Sequence, residues 1–147
     1  MVGVGHIRRA LPRAKVLHLV RDPMDVCFSN WRALFGDAYA YSYDFAALAQ
    51  HRRMYRKLMA HWHRVHPGFV LDVPYAELVR APEASCRRVL DFCGLPFEAD
   101  CLDHTRNRSS VSTLSSAQVR EPIHARGIGE WRRYAERLEP LRTLLGA

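Results

Sequence analysis

Arg21 and Ser29 are the residues of this 147-residue chain whose types and spacing best suit chemistry. A guanidinium presents paired donors in a planar fork that matches a phosphate, and a serine hydroxyl adds a third. The chemistry this implies is anion binding. A second set lies downstream, where the loop from Thr113 to Ile123 is followed by Arg126-Gly-Ile-Gly-Glu-Trp131. It offers hydroxyls, an arginine and glycine-exposed backbone amides, the parts of a phosphate nest. The plain alternative is an Arg21–Asp25 pair, a solvated Ser29 and an ordinary surface loop carrying Arg126, and spacing alone leaves it open.

The elements that must position Arg21 and Ser29 are a strand and a capped helix. Val16, Leu17, Leu19 and Val20 form a short, nearly continuous apolar run, which predicts a strand covered on both faces. Asp22 is a natural N-cap, Pro23 suits the first helical position with its pre-set φ, and Asp25 adds negative charge to the first turn. The strand therefore stops at Arg21, in the place beyond a strand's carboxyl end where open α/β sheets bind ligands. Along the helix, Cys27, Trp31, Leu34 and Phe35 make a core-facing stripe. Asp25, Ser29 and Arg32 fall on another face, at i, i+4 and i+7.

The rest of the chain bounds what such a site could serve. Its 48% hydrophobic content is enough for one domain with a core, and no run approaches the ~20 apolar residues that span a bilayer. The start, with Gly3, Gly5 and His6, lacks the pattern of a signal peptide, so a soluble protein is expected, and the cysteine usage described below adds the expectation of a cytoplasmic one. The formal charge is +7, carried almost wholly by arginine, and attracts anionic partners. The arginines are scattered rather than gathered in one tract, which fits a solvated surface. Cys27, Cys86, Cys93 and Cys101 include no C-x-x-C pair, and the first three fall in segments with helical pattern. Reduced thiols are expected, with a disulfide from Cys101 left open.

Asp37 to Ser42 is expected to be a loop, and Asp44 to about His66 a long amphipathic helix ended by Pro67 and Gly68. Phe69 to Val73 is a second strand, closed by Pro74. A turn or short helix at Tyr75 to Val79 precedes a helix from Pro82 to Cys93, which Gly94 and Pro96 stop. Leu102 to Ile128 is mostly irregular, and a final helix from about Trp131 carries Tyr134, Leu138, Leu141 and Leu145 on one face. His63 and His66 could share a helix face, but zinc would need further ligands, so no metal site is expected. Trp31, Trp62 and Trp131 are expected in the core, and Cys27 is expected to pack rather than react. Two strands alone make a poor sheet, so further strands are expected upstream of Met1.

Taken in order, Arg21-Asp22-Pro23, Asp25, Ser29, Tyr75-Ala-Glu77-Leu-Val, Pro82-Glu83, Thr113 to Ile123 and Trp131 to Leu141 resemble the carboxyl-terminal portion of sulfotransferases that use 3′-phosphoadenosine 5′-phosphosulfate (PAPS). The resemblance covers roughly the whole chain. It is strongest to bacterial sulfotransferases linked to tetratricopeptide repeats and to protein-tyrosine sulfotransferases. It implies an α/β fold, a helix-rich part of a P-loop-like three-layer architecture over residues 1–147 that lacks its amino-terminal strands and P-loop.

By that resemblance Arg21 and Ser29 correspond to the pair that binds the cofactor's 3′-phosphate, and Tyr75 to a tyrosine near the adenosine, with Ala76 interposed before Glu77. Ser115 matches a serine near the nucleotide, and Arg126 and Gly127 resemble a basic-Gly pair on the 3′-phosphate. Glu130 stands where protein-tyrosine sulfotransferases have lysine, so Arg126 or Arg132 is expected to substitute. The implied ligands are PAPS or adenosine 3′,5′-bisphosphate and a hydroxyl-bearing acceptor, protein tyrosine or carbohydrate. No nucleic acid or membrane partner is expected, and a homodimer is left open. Nothing before Val16 resembles the turn that holds the 5′-phosphosulfate or the base that activates the acceptor. No catalytic residue is therefore assigned, and the chain alone is expected to bind rather than transfer. The alternatives from other classes are a basic nucleic-acid-binding module and a non-catalytic partner subunit with an exposed apolar patch.

Overall fold

In a computed structural model, which describes residues 3–33, 35–103 and 124–146, the chain is helix-rich α/β with a small parallel sheet. In order, the elements are α1 (Val4–Ala10), β1 (Val16–Val20), α2 (Pro23–Arg32), a 3-10 segment (Gly36–Tyr43), α3 (Phe45–Val65), β2 (Val70–Pro74), α4 (Tyr75–Arg80) and α5 (Pro82–Cys93). Two further 3-10 turns (Ala99–Leu102 and Glu130–Tyr134) and α6 (Glu139–Leu145) complete it.

Strands β1 and β2 pair in parallel, from Val16 opposite Val70 to Val20 opposite Pro74. Parallel neighbours need a crossover, which α2 and the 21-residue α3 supply. The register ends both strands together, so Arg21 and Tyr75 emerge side by side at their carboxyl ends.

Two apolar clusters hold these elements. Met24, Cys27 and Phe28 of α2 pack with Leu48 of α3 and with Leu138 and Leu141 near the carboxyl end. Val4, Met59, Phe69 and Val70 form the second cluster, beneath Trp62. Gly5 allows α1 to lie on that indole, since a Cβ there would come within 2.9 Å of the Trp62 ring. This contact explains a helix that the local sequence does not announce.

Four expectations change. Only one face of β1 is covered: His18 is buried, whereas Leu17 and Leu19 are 47% and 51% exposed and open onto an apolar groove with Val73, Leu78 and Val89. The core stripe of α2 is Met24, Cys27 and Phe28, one turn earlier than expected, and Trp31 is 40% exposed against Phe45. The expected final helix is broken into the 3-10 turn at Glu130–Tyr134 and α6, because Pro140 donates no backbone hydrogen bond and instead sits in the first turn of a restarted helix. The 37–42 loop is a kinked 3-10 segment. All four cysteines are free thiols, and burial raises that of Cys27 to about 11. Among the described residues no helix is long and apolar enough to cross a membrane.

Candidate functional site

The junction of β1 and α2 is built locally. Asp22 caps the helix by accepting from the Asp25 amide at 3.1 Å, and Pro23 opens it. This holds Arg21 at the strand end and sends Asp25, Ser29 and Arg32 along one face. Against that face lies the turn from His124 to Glu130, and the two enclose a cleft of about 460 Å³.

Arg21 is central to this cleft. Its Nη2 donates to the Gly127 carbonyl at 2.9 Å, and its guanidinium lies 4.9 Å from the centre of the Tyr75 ring. Its buried Nε has no hydrogen-bond partner among the described residues. A buried guanidinium N–H without an acceptor is costly, so Arg21 keeps an unmet donor at this junction. Gly127 approaches closely enough that a Cβ would stand 3.3 Å from Arg21 Nη2.

Asp25 fixes the opposite wall. Its Oδ1 accepts from the Gly129 amide at 2.8 Å, and Gly129 has φ +72°, a left-handed conformation that suits glycine. Burial pushes the Asp25 carboxyl above its ordinary value, against the lowering effect of the Gly129 hydrogen bond. Its partner is thus a backbone amide on the turn rather than Arg21. At the rim, Arg32 Nη1 donates to Glu130 Oε1 at 2.5 Å, and that bond holds the Glu130 carboxyl below its usual range.

Of the residues singled out from sequence, Arg21, Ser29, Tyr75, Arg126 and Gly127 line this one cleft. Ser115 lies outside the described residues. Of the two arginines weighed as substitutes opposite Glu130, Arg126 lines the cleft, whereas Arg132 stacks on Trp131 at 5.3 Å. Sequence reasoning missed Arg133, which also lines it, and the anchoring role of Asp25. The signal for Asp25 was its place on the Ser29 face. The cleft therefore gathers Arg21, Arg32, Arg126 and Arg133 against two carboxylates, each engaged by a hydrogen-bond donor. The excess is positive, and the arrangement can hold a phosphate.

Residues 1–99, which include Arg21, Ser29 and Tyr75, match the model of the sulfotransferase family. An uncharacterized protein of Aquifex aeolicus (strain VF5) is 34% identical over 145 residues, covering 97% of this chain. The chain spans 19% of that relative's length. With the family match extending over two thirds of the chain, from α1 through α5, the chain belongs to the sulfotransferase family.

Proposed function

We propose that this chain supplies the 3′-phosphate-binding half of a PAPS site, in a protein that transfers a sulfuryl group to an acceptor hydroxyl of protein tyrosine or carbohydrate. The observation that carries the reading is the gathering of Arg21, Ser29 and Arg126 around one cleft, with Arg21 oriented by the Gly127 carbonyl of its other wall. Arg21 and the Ser29 hydroxyl would hold the 3′-phosphate, with Arg126 and the turn backbone completing the cradle. Tyr75, already stacked on Arg21, would lie beside the adenosine. Ser115 would add a contact to the nucleotide.

The chemistry of the bound cofactor is cleavage of its sulfate–phosphate link, with the sulfuryl group passing to the acceptor oxygen. The residues of this cleft bind and orient the opposite end. Correct placement of that end contributes to the rate through alignment of donor and acceptor. The chain by itself is expected to bind adenosine 3′,5′-bisphosphate and to show little or no transfer.

Calorimetry with adenosine 3′,5′-bisphosphate tests this reading. A charge-assisted contact contributes about 1.5–3 kcal/mol, so Arg21→Ala should weaken binding by roughly 10- to 100-fold. Adenosine 5′-phosphate, which lacks the 3′-phosphate, should bind the parent weakly and be insensitive to the substitution. Equal affinity for the two nucleotides, or undiminished binding in Arg21→Ala, would refute the assignment.

A further inference from the structure

We propose that His18, His63 and Asp72 form a binding site for one divalent transition-metal ion, zinc by the character of the donors. The register of the sheet brings two of them together. His18 of β1 stands opposite Asp72 of β2, so both side chains leave the same face. Helix α3 crosses that face and adds His63 near its carboxyl end.

The three side chains converge on one point. His18 Nδ1–H donates to Asp72 Oδ1 at 2.6 Å, and His63 Nε2–H donates to the same oxygen at 3.0 Å. One ligand atom from each residue lies within 4.8 Å of the others. Zinc bound to nitrogen and carboxylate oxygen at its usual lengths separates its tetrahedral ligand atoms by about 3.3 Å. The two contacts to Asp72 need to open by less than about an ångström to admit the ion, with the two histidine nitrogens, within 4.8 Å of each other, adjusting towards the same spacing. His63 and Asp72 are exposed enough to move, with side chains 38% and 46% exposed, whereas the 8% exposed His18 forms a fixed inner wall.

The surroundings suit coordination. His18 Nε2 is in hydrogen-bond contact with the Tyr55 hydroxyl. Coordination requires the other tautomer of His18: the proton that Nδ1 donates to Asp72 in the metal-free site is given up, Nε2–H donates to that hydroxyl oxygen, and the Nδ1 lone pair is left for the ion, as the outer partners of metal-bound histidines usually arrange. Two imidazoles and one carboxylate select zinc and its neighbours over magnesium or calcium, which prefer all-oxygen sites. The exposed side of Asp72 leaves a fourth position open to water. Arg88 donates to the Asp72 carbonyl at 2.6 Å, and Arg52 lies 4.7 Å from the centre of the Tyr55 ring. Their charges oppose a cation, so moderate affinity is expected. The ion would tie β1, β2 and α3 together three residues before Arg21. The site stands independently of the nucleotide assignment.

Titration of the metal-free 147-residue chain with zinc, followed by calorimetry, and with cobalt, followed by visible absorption, tests the site. The expected result is saturable uptake of one equivalent and a cobalt spectrum free of thiolate charge-transfer bands. His63→Ala and Asp72→Asn should each weaken uptake by at least about tenfold, while His61→Ala on the same helix leaves it unchanged. Far-UV circular dichroism confirms that each variant is folded, and His63→Gln replaces His63→Ala if the latter is not. Absence of one-equivalent uptake, unchanged affinity in folded His63 and Asp72 variants, or a thiolate–cobalt band would each overturn the proposal.

Discussion

Replacing Asp25 by asparagine and by alanine separates its two roles in the cleft, as an acceptor and as a charge. The side chain is buried, with its carboxylate receiving the Gly129 amide at 2.8 Å. Alanine removes one partner of a charge-assisted hydrogen bond of about 1.5–3 kcal/mol and strands the Gly129 N–H. Relief of the buried charge offsets part of this, leaving a net stability loss of about 1–2 kcal/mol. Asparagine keeps an oxygen in place, with a weaker neutral bond of about 1 kcal/mol but no desolvated charge, so its stability should stay within about 1 kcal/mol of the parent.

Affinity for adenosine 3′,5′-bisphosphate should split the two variants in opposite directions. In Asp25→Ala the turn loses its tether to α2, Gly127 no longer holds Arg21 in place, and binding should weaken about tenfold. In Asp25→Asn a negative charge leaves an anion cleft. Solvent-attenuated repulsion on the order of 1 kcal/mol is removed, and binding should tighten about fivefold at low salt, less at physiological salt. Urea unfolding and calorimetry give both quantities. An alanine variant as stable as the parent would refute the anchor, and an asparagine variant of parent-like stability that binds tenfold more weakly would refute the electrostatic argument. The pH dependence has a definite sign. Because the folded value lies above 3.8, the folded state takes up this proton before the unfolded chain does, so acidification through that window favours folding and asparagine abolishes the effect.

Glu130→Gln should free Arg32 for the ligand and tighten nucleotide binding several-fold in the same calorimetric assay. Its pH effect runs opposite to that of Asp25: the folded value lies below 4.5, so the stabilisation is present above 4.5 and lost as pH falls through the folded value. For a pair this exposed, the loss in acid unfolding curves should be only a few tenths of a kcal/mol. Gly129→Ala forces a side chain into positive φ and should cost about 1 kcal/mol in urea unfolding. Leu141, fully buried between α2 and α3, should cost about 2–5 kcal/mol when cut to alanine, measured the same way. With its thiol raised to about 11 and buried, Cys27 should resist a disulfide reagent at pH 8 that labels exposed Cys101 at once, as absorbance would report.

What could be read from the sequence follows how far apart the interacting residues lie. The Asp22 cap, Pro23 at the helix start and the shared face of Asp25, Ser29 and Arg32 all arise within one helix, and spacing alone carries them. The left-handed Gly94 that ends α5 is equally local. The Gly129–Asp25 and Arg32–Glu130 contacts span 104 and 98 residues, and no periodicity encodes them. Burial of β1 failed for a related reason, since four apolar residues in a strand of five do not say whether one face or both will find a partner. The α2 stripe shifted by a turn because α6 and α3 converge on its amino-terminal half, where Met24 and Phe28 meet Leu141 and Leu48. At the chain's end, apolar periodicity ran through Pro140, and the missing backbone donor outweighed it.

The same division explains why the cleft needs its long-range parts. A strand end and a helix face can present Arg21 and Ser29, but they cannot orient a flexible guanidinium. Orientation comes from the Gly127 carbonyl and the Tyr75 ring. Tyr75 is placed by the parallel register, which ends β2 beside Arg21. Gly127 is placed by Asp25, which accepts from Gly129 two residues on. Asp25 thus keeps a buried charge, unfavourable both for stability and for an anionic ligand, because it ties the turn to the helix. The Asn and Ala variants separate these effects: if the turn were held elsewhere, removing the carboxylate altogether would improve binding, and only a tether predicts that alanine and asparagine diverge.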